Sequence, residues 1–428
     1  MEIVLPLFVF LALGAFAIFA LTSRLPAPDK QTVLRILLAA LALRLVCATI
    51  FATIPETRRF HEDAEGYEML GVIIAQGWSG EGPPFDYRKT RETNYGYAYV
   101  VAGLNYVIGP YRTVGPYANA VIGTITVALV YFLSRRLFHR VVALRAAKLV
   151  AYFPSMILWS SLAIKDPIVT FLTILTLMAA LELKERLTVR NVLVVTVPIL
   201  LLQPIRFYTI YFVGIAILSS LLIDRGLRAI RGLYLQLGLA LVLILLVLAT
   251  GMQSNIQAGA EFIDLQRISD FRRGMATTAQ SGFASDVDIS TPGGALLFFP
   301  IGLAVLLFGP FPWQMTSFRA ALTAPEMILW WSMVPALWVG LRYSVKHLLS
   351  KTSPLLFFSA ALTAAYSLIH GNVGSGFRQR AQIFVFLFIF ASLGHYLRLC
   401  RAKKIDERLL LADYVAPEAG AATHPQAA

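Results

Sequence analysis

Two apolar runs that meet at a charged pair decide the fold class of this chain. They read LRAAKLVAYFPSMILWSSLAIK over residues 144–165 and DPIVTFLTILTLMAALEL over residues 166–183. Both are near the length, about 20 residues, that an α-helix needs to cross a bilayer. Neither alternates polar and apolar residues as a membrane β-strand does. The stretch therefore predicts membrane helices over Leu144–Ile164 and Pro167–Leu183, which meet at Lys165 and Asp166.

The composition extends this prediction to the whole chain. Of its 428 residues, 57% are hydrophobic and 14% are charged, whereas a soluble domain averages about 45–50% apolar and about 25% charged residues. Soluble, disordered and disulfide-scaffold classes are excluded. The fold predicted is an all-α, polytopic transmembrane bundle of about 11–13 helices, with interfacial helices in a long first outer loop. The other predicted spans are Val4–Leu21, Val33–Thr53, Gly115–Leu133, Val192–Gln203, Tyr208–Ile223 (with a break at Pro204), Leu233–Thr250, Met327–Leu341, Pro354–His370 and Ala381–Leu397.

The net charge of +13 predicts orientation rather than nucleic-acid binding, because cytoplasmic membrane loops are rich in Lys and Arg. The short basic loops all fall on one side of the membrane only if Tyr95–Gly109 and Gly294–Gly309 do not cross it. The N-terminus is then outside and the C-terminus inside. Two long polar segments, Ile54–Asn94 and Gly251–Pro292, become outer loops. Residues 1–411 are interpreted as one membrane domain and residues 412–428 as a disordered tail.

The first outer loop contains Phe60-His61-Glu62-Asp63-Ala64-Glu65-Gly66-Tyr67. Ionisable groups next to a membrane helix favour a functional hypothesis, although a solvated acidic loop is the alternative. Helical spacing places Asp63 and Tyr67 on one face, which directs Asp63 inward, with Glu65 and Glu68 toward water. Asp63 is therefore a candidate catalytic residue.

The charged pair Lys165-Asp166 lies on the same outer side. Because Pro167 suits the first turn of a helix, Asp166 is also well placed as a helix cap. Both interpretations stay open at this point.

Three arginines lie on the outer side, against the charge rule. Arg206 follows Gln203-Pro204, and Arg378 and Arg380 follow a glycine-rich stretch, 371–376, that permits close backbone approach to a ligand. Arginine binds phosphate through paired hydrogen bonds. The alternative is that each arginine extends toward lipid headgroups.

The order of these features resembles GT-C-type membrane glycosyltransferases, which include protein O-mannosyltransferases and aminoarabinose transferases. The resemblance rests on Asp63, Tyr67 and Leu70 in the first outer loop, on 118–138 as the following helix, and on Phe153-Pro154 before Lys165-Asp166-Pro167. It implies an enzyme of the cell (inner) membrane that moves a sugar from a polyprenyl-phosphate donor to a glycan, lipid or protein acceptor on the extracytoplasmic side. Membrane lipids would be its other partners, and no nucleic acid is expected.

The resemblance also implies roles for the candidate residues. Asp63, with Glu62 and Asp166, would serve catalysis, and Asp63 would be the general base of an inverting transfer. Tyr67 and His61 would support the acceptor. A divalent cation held by Asp63 and Asp166 is the one cofactor considered. The donor phosphate would be bound by four cationic side chains, those of Lys165, Arg206, Arg378 and Arg380.

Two other functions stay open. In a lipid-linked polysaccharide polymerase or ligase, His370 with the late arginines would carry the chemistry and Asp63 would be dispensable. In a flippase or transporter, paired broken helices in internal repeats are typical, and the sequence contains no convincing repeat. Walker, G-x-S-x-G, H-E-x-x-H and dinucleotide-binding motifs are absent from the sequence.

Overall fold

The computed structural model describes residues 3–54, 57, 62–82, 95–185, 188–223, 264–315 and 317–403. Within these ranges the regular structure is helical, apart from an isolated bridge between Gly282 and Asn372. The predicted all-α class is confirmed. The helices are α1 (Val4–Ser23), α2 (Ala27–Thr53), α3 (Glu62–Ser79), α4 (Gly96–Ile108), α5 (Val114–Leu137), α6 (Arg140–Tyr152), α7 (Pro154–Trp159), α8 (Asp166–Glu185), α9 (Val189–Arg206), α10 (Thr209–Leu222), α11 (Leu265–Thr278), α12 (Pro292–Phe308), α13 (Phe318–Ala321), α14 (Ala324–His347), α15 (Leu349–Ile369), α16 (Val373–Gln379) and α17 (Ala381–Ala402).

Seven of the described helices are long and apolar enough to cross a membrane, which makes this a multi-pass membrane protein. The central ones pack deeply inside the bundle, whereas α1 and α2 keep much of their apolar surface exposed, as expected for helices in contact with lipid. The seven segments are Val4–Ser23, Asp29–Thr53, Val114–Leu137, Asp166–Leu183, Val189–Arg206, Leu349–Ile369 and Ala381–Ala402.

The predicted single helix Leu144–Ile164 is wrong, because the chain breaks at Pro154 into α6 and α7. Proline has no N–H to donate to the carbonyl of Val150. The guanidinium of Arg44 donates to that carbonyl at 2.9 Å and to Ala151 O at 3.0 Å instead. On the other side of the break, Ser155 N donates to a Glu326 carboxylate oxygen at 2.7 Å. Two charged side chains from other helices therefore supply the hydrogen-bond partners of the backbone at this break.

The two helices predicted on either side of Pro204 are present, but the break between them lies at residues 207–208, since α9 continues through Pro204 to Arg206 and α10 begins at Thr209. Several predictions fall on residues that are not described. The helix Leu233–Thr250, the first part (251–263) of the segment Gly251–Pro292, part of the first outer loop and the tail at 412–428 lie outside the described residues.

The two stretches that were predicted not to cross the bilayer form the short helices α4 and α12, and neither is among the helices long enough to span. Gly302 of α12 packs directly against Ser367 O, near the end of α15. The carbonyl of Leu307, close to the end of α12, accepts a 2.8 Å bond from Trp330 Nε1. These contacts are consistent with α12 lying across helix ends.

At the end of the bundle where α2 begins, a buried acidic residue lies among basic ones. Asp29, at the start of α2, pairs with Arg140 and approaches Arg135 at 3.7 Å. Tyr131 Oη donates to the same carboxylate at 2.5 Å. This cluster connects the beginning of α2 to the α5–α6 connection. It lies at the other end of α2 from Thr53, after which the chain leads toward Asp63.

Candidate active site

The deepest part of the site is a buried ion pair between neighbouring ends of two helices. Asp166 begins α8 and Arg206 ends α9, so the antiparallel pair of helices brings them together. Arg206 Nη2 donates to Asp166 Oδ1 at 2.9 Å, and the two side chains are 1% and 3% exposed. Gln382 Nε2, in the first turn of α17, donates to the same oxygen at 3.1 Å. The Asp166 carboxylate therefore binds side chains rather than capping α8.

Arg378 connects this buried pair to the outer surface. Its Nη1 donates to Asp63 Oδ2, and its Nε lies 3.6 Å from Asp166 Oδ2. The Asp63 side chain is 58% exposed and that of Arg378 is 21% exposed. Attraction to Asp166 and then Asp63 raises the pKa of Arg378 above its ordinary value, although burial acts against this. Arg378 thus keeps its charge between the two carboxylates.

Lys165 supplies a further positive charge. Among the described residues, no carboxylate oxygen lies within 4 Å of its ammonium group. Burial, followed by the charge of Arg206, lowers the pKa of Lys165 to about 7. With Arg206 and Arg378, Lys165 makes three cationic groups around the carboxylates of Asp63 and Asp166, so the fully ionised group has one excess positive charge. Such a group favours an anionic ligand.

Tyrosines line the inner side of this group. Tyr366 Oη contacts Arg206 Nη1 at 3.5 Å and Tyr208 Oη at 3.3 Å. On the side of α3, the ring of Tyr67 packs edge to face on Tyr97, with ring centroids 5.1 Å apart. Burial raises the pKa of Tyr67 to about 12. Tyr67 therefore lies beside the carboxylates as a neutral phenol.

The turn that presents Lys165 and Asp166 is held by one amide. Asn119 Nδ2, on α5, lies within hydrogen-bonding distance of Leu162 O (2.6 Å), Ile164 O (2.8 Å) and Tyr97 Oη (2.8 Å). The turn is buried, so its carbonyls need partners within the protein. Asn119 therefore fixes the position from which Lys165 and Asp166 project.

Arg380 is not part of the group, contrary to the prediction that it binds the donor phosphate beside Arg378. Its side chain is 1% exposed and lies 3.5 Å from the carboxylate of Glu326. It also donates to Gly309 O and stacks on the rings of Phe377 and Phe384. These contacts use its charge inside the bundle.

The glycine-rich stretch before Arg378 serves packing at its first position. A Cβ on Gly371 would lie 2.1 Å from Arg272 O of α11, a distance that no side chain allows. Phe283 N donates to Gly371 O at 2.9 Å and Val373 N donates to Ser281 O at 3.0 Å. The backbone at Gly371 is therefore approached closely by the backbone of α11, and not by a ligand as the sequence suggested.

The remaining residues of the first outer loop have separate positions. His61 lies outside the described residues, and Glu62 is the first residue of α3. Glu65 and Glu68 approach Arg112 at 4.0 and 3.9 Å. Glu68 is 16% exposed, so the expectation that both glutamates face water is wrong for Glu68.

The arrangement does not fit a divalent cation bridging Asp63 and Asp166. The guanidinium of Arg378 lies between the two carboxylates. The described residues contain no group of three or more His, Cys, Asp and Glu side chains placed to hold a metal ion.

Sequence reasoning missed four polar residues that complete the site: Asn119, Tyr208, Tyr366 and Gln382. Each lies in or beside an apolar helix, where a single amide or phenol resembles many others. A partial signal existed for Gln382, which follows the Arg378–Arg380 stretch closely enough to share its location.

Part of the sequence matches a model of a known protein family. A family model described as dolichyl-phosphate-mannose-protein mannosyltransferase matches residues 95–249. The matched stretch includes Lys165, Asp166 and Arg206, and it excludes Asp63 and Arg378. No curated protein matches the sequence.

Among solved structures, the chain is similar to the oligosaccharyltransferase of Archaeoglobus fulgidus in its apo form. The two chains share 14% identity with a TM-score of 0.47, and the similarity covers 90% of this chain and 53% of that one. The chain thus spans about half the length of the solved structure that it matches. The family match confirms the resemblance to GT-C-type membrane glycosyltransferases that the sequence predicts.

Proposed function

We propose that the protein is a membrane glycosyltransferase that moves a sugar from a polyprenyl-phosphate donor to an acceptor on the extracytoplasmic side of the cell membrane. The observation that carries the proposal is the joining of Asp63, Lys165, Asp166, Arg206 and Arg378 into one charged group. The family match supports the same class of reaction, because its description names a lipid-phosphate sugar donor.

The donor phosphate is assigned to Lys165 and Arg378. Lys165 is without a carboxylate partner among the described residues, and Arg378 is the more exposed of the two site arginines. Arg206 is committed to Asp166 at 2.9 Å, so its role is to hold that carboxylate and to add positive potential. Charge that develops on the leaving phosphate would be stabilised by these cations.

Asp63 is assigned as the general base. It is exposed enough to meet an acceptor, and its partner Arg378 is the residue that the phosphate would engage. The Asp63 carboxylate takes the proton of an acceptor hydroxyl or amine, whose oxygen or nitrogen forms a bond to the anomeric carbon. The bond from that carbon to the phosphate oxygen breaks, with inversion, and the lipid phosphate leaves as an anion. Tyr67 would assist in placing the acceptor, His61 remains a prediction for the same role, and Glu62 remains a predicted catalytic residue.

The test is incubation of purified protein with a panel of polyprenyl-phosphate sugars and a membrane extract that supplies the acceptor, followed by measurement of released polyprenyl phosphate. Asp63→Asn should abolish release while the variant still binds donor, because only the base is removed. Asp270→Asn is the matched control, since Asp270 is an exposed acid of α11 outside the site. Full activity of Asp63→Asn would disprove the proposed role of this residue.

One observation favours the polymerase or ligase alternative. His370 lies close enough to the charged group for Arg378, Arg206 and Asp166 to change its pKa. In that case a His370 variant would lose transfer and Asp63→Asn would retain it. The same experiment therefore distinguishes the two functions.

A further inference from the structure

His370 is a buried histidine at the site. It follows α15 directly and is 5% exposed. Both ring nitrogens are buried, and within the part of the chain that the structure describes neither has a hydrogen-bond partner. The ring packs against Tyr366, with ring centroids 5.0 Å apart. Its backbone N–H is already satisfied by Tyr366 O at 3.1 Å, so the helix end does not require an imidazole.

An unpaired polar atom in a protein interior costs about 1–3 kcal/mol, and such atoms are rare in native proteins. Asp166 Oδ1 binds Arg206 and Gln382, but Asp166 Oδ2 and Arg206 Nε, like the His370 ring, have no hydrogen-bond partner among the described residues, so unpaired polar atoms gather at this point of the site. An apolar side chain would occupy this position without two unpaired nitrogens. The missing partners of His370 are therefore expected to come from a bound molecule.

The ionisation state of His370 limits which molecule this is. Burial, followed by the charges of Arg378 and Arg206, lowers the pKa of His370 to about 3. The ring is neutral at physiological pH and has one N–H donor and one bare nitrogen acceptor. A phosphodiester oxygen can only accept, so it would leave the bare nitrogen unpaired. A sugar hydroxyl both donates and accepts, so two hydroxyls satisfy both ring nitrogens.

We propose that His370 hydrogen-bonds hydroxyl groups of the sugar carried by the lipid-phosphate donor, and so helps to select that sugar. The inference rests on the proposed function. It deepens that function because the sugar is covalently attached to the phosphate that Lys165 and Arg378 would bind. The Asp63–Arg378 pair is the more exposed layer of the site, and His370 with the Asp166–Arg206 pair is the inner layer.

The test compares two probes on the full-length protein: polyprenyl phosphate and polyprenyl phosphate bearing a sugar. Mannose and glucose forms are used, and the comparison is made with the form that the wild type binds more tightly. His370→Phe keeps an aromatic ring and removes both nitrogens. It should weaken binding of the sugar-bearing probe about tenfold or more and change binding of polyprenyl phosphate less than about twofold. His347→Phe, at the exposed end of α14, is the matched control.

A second variant guards against a folding defect. His370→Gln keeps one donor and one acceptor and should recover part of the lost affinity for the sugar-bearing probe. Equal weakening for both probes would overturn the proposal, because the contact would then be with phosphate or with the fold. Unchanged binding of both probes would also overturn it. Wild-type protein that binds neither probe would instead contradict the proposed function itself.

Discussion

Burial separates the two ion pairs of the site at the scale of single residues. Asp166 and Arg206 are both nearly inaccessible, whereas Asp63 is more than half exposed. An exposed ion pair contributes about 0–1 kcal/mol. A buried pair that loses one partner leaves an uncompensated charge and costs about 3–5 kcal/mol. The two aspartates therefore differ in what they do for stability, although both face the same arginine.

This difference predicts the stability of the two matched variants. Asp166→Asn should destabilise the protein by about 3–5 kcal/mol, because Arg206 then remains buried without an opposing charge. Asp63→Asn should change stability by less than about 1 kcal/mol. Thermal unfolding of the detergent-solubilised variants measures both. Equal losses would contradict the inference that burial makes Asp166 more important for stability than Asp63.

Lys165 predicts a dependence of donor binding on pH. Because its pKa is lowered to about 7, the free site loses this positive charge as the pH rises through neutrality. A sugar phosphodiester keeps its single negative charge, so it binds the protonated lysine. The affinity for the donor should be highest below about pH 6, where Lys165 is protonated in the free site. Above about pH 7 it should fall by up to about tenfold per pH unit. The fall ends where the pH exceeds the pKa of Lys165 in the donor complex, which the bound phosphate raises.

The measurement is the Kd of a polyprenyl-phosphate sugar between about pH 6 and about pH 8.5. The Kd of the Lys165→Arg variant for this donor should change little over the pH range, since arginine stays charged. A pH profile that is identical in wild type and Lys165→Arg would remove Lys165 from the phosphate site.

The sequence allowed the prediction of charged site residues because of one physical rule: a charge placed in or beside an apolar helix is costly. This rule identified Asp166, Arg206 and Arg378. It also admitted Arg380, since the sequence contains no sign that Glu326 is its partner across the bundle. Which buried charge meets a ligand and which meets another helix depends on packing between distant segments.

At the scale of elements, the turn between α7 and α8 controls the site. Asn119 binds two carbonyls of that turn from a neighbouring helix. Asn119→Asp keeps the shape of the side chain and removes the N–H groups, so each carbonyl loses a partner at a cost of about 1–3 kcal/mol.

We expect Asn119→Asp to lower kcat about tenfold or more, because Lys165 and Asp166 project from the turn that Asn119 holds. Tyr97→Phe removes one acceptor from the same amide and leaves both carbonyl bonds in place. Its effect on kcat should be smaller than that of Asn119→Asp. The measurement is steady-state release of polyprenyl phosphate. A larger loss in Tyr97→Phe would mean that the phenol, rather than the turn, is the important partner.

Helix breaks were the least predictable elements. Hydropathy merges α6 and α7 into one span because the residues on both sides of Pro154 are apolar. A break was predicted at Pro204 and none at Pro154, yet the chain breaks at Pro154, whereas α9 continues through Pro204 and ends at Arg206. Arg44 and Glu326 supply hydrogen-bond partners for the backbone groups near Pro154 that have none within the helix. Long-range partners of this kind decide whether a proline interrupts a membrane helix, and they are not encoded near the proline.

At the scale of the whole molecule, the charged groups are divided between two ends of the bundle. The candidate site lies where α8 begins and α9 ends, and the Asp29 cluster lies where α2 begins. Since α2 ends at Thr53, next to the segment that leads to Asp63, the two groups are separated by the length of this helix. Basic residues such as Arg342, Lys346 and Lys351 lie where α14 ends and α15 begins, away from the site.

This division predicts the orientation of the protein in the membrane, because Lys and Arg remain on the cytoplasmic side. In a background without Cys47 and Cys400, Glu81→Cys after α3 and Thr277→Cys on α11 should react with a membrane-impermeant maleimide in intact cells. Lys351→Cys, near the start of α15, should react only after permeabilisation. All three positions are exposed in the structure, so access to reagent depends on the side of the membrane. Labelling of Lys351→Cys in intact cells, with Glu81→Cys protected, would place the charged group on the cytoplasmic side and exclude an extracytoplasmic acceptor.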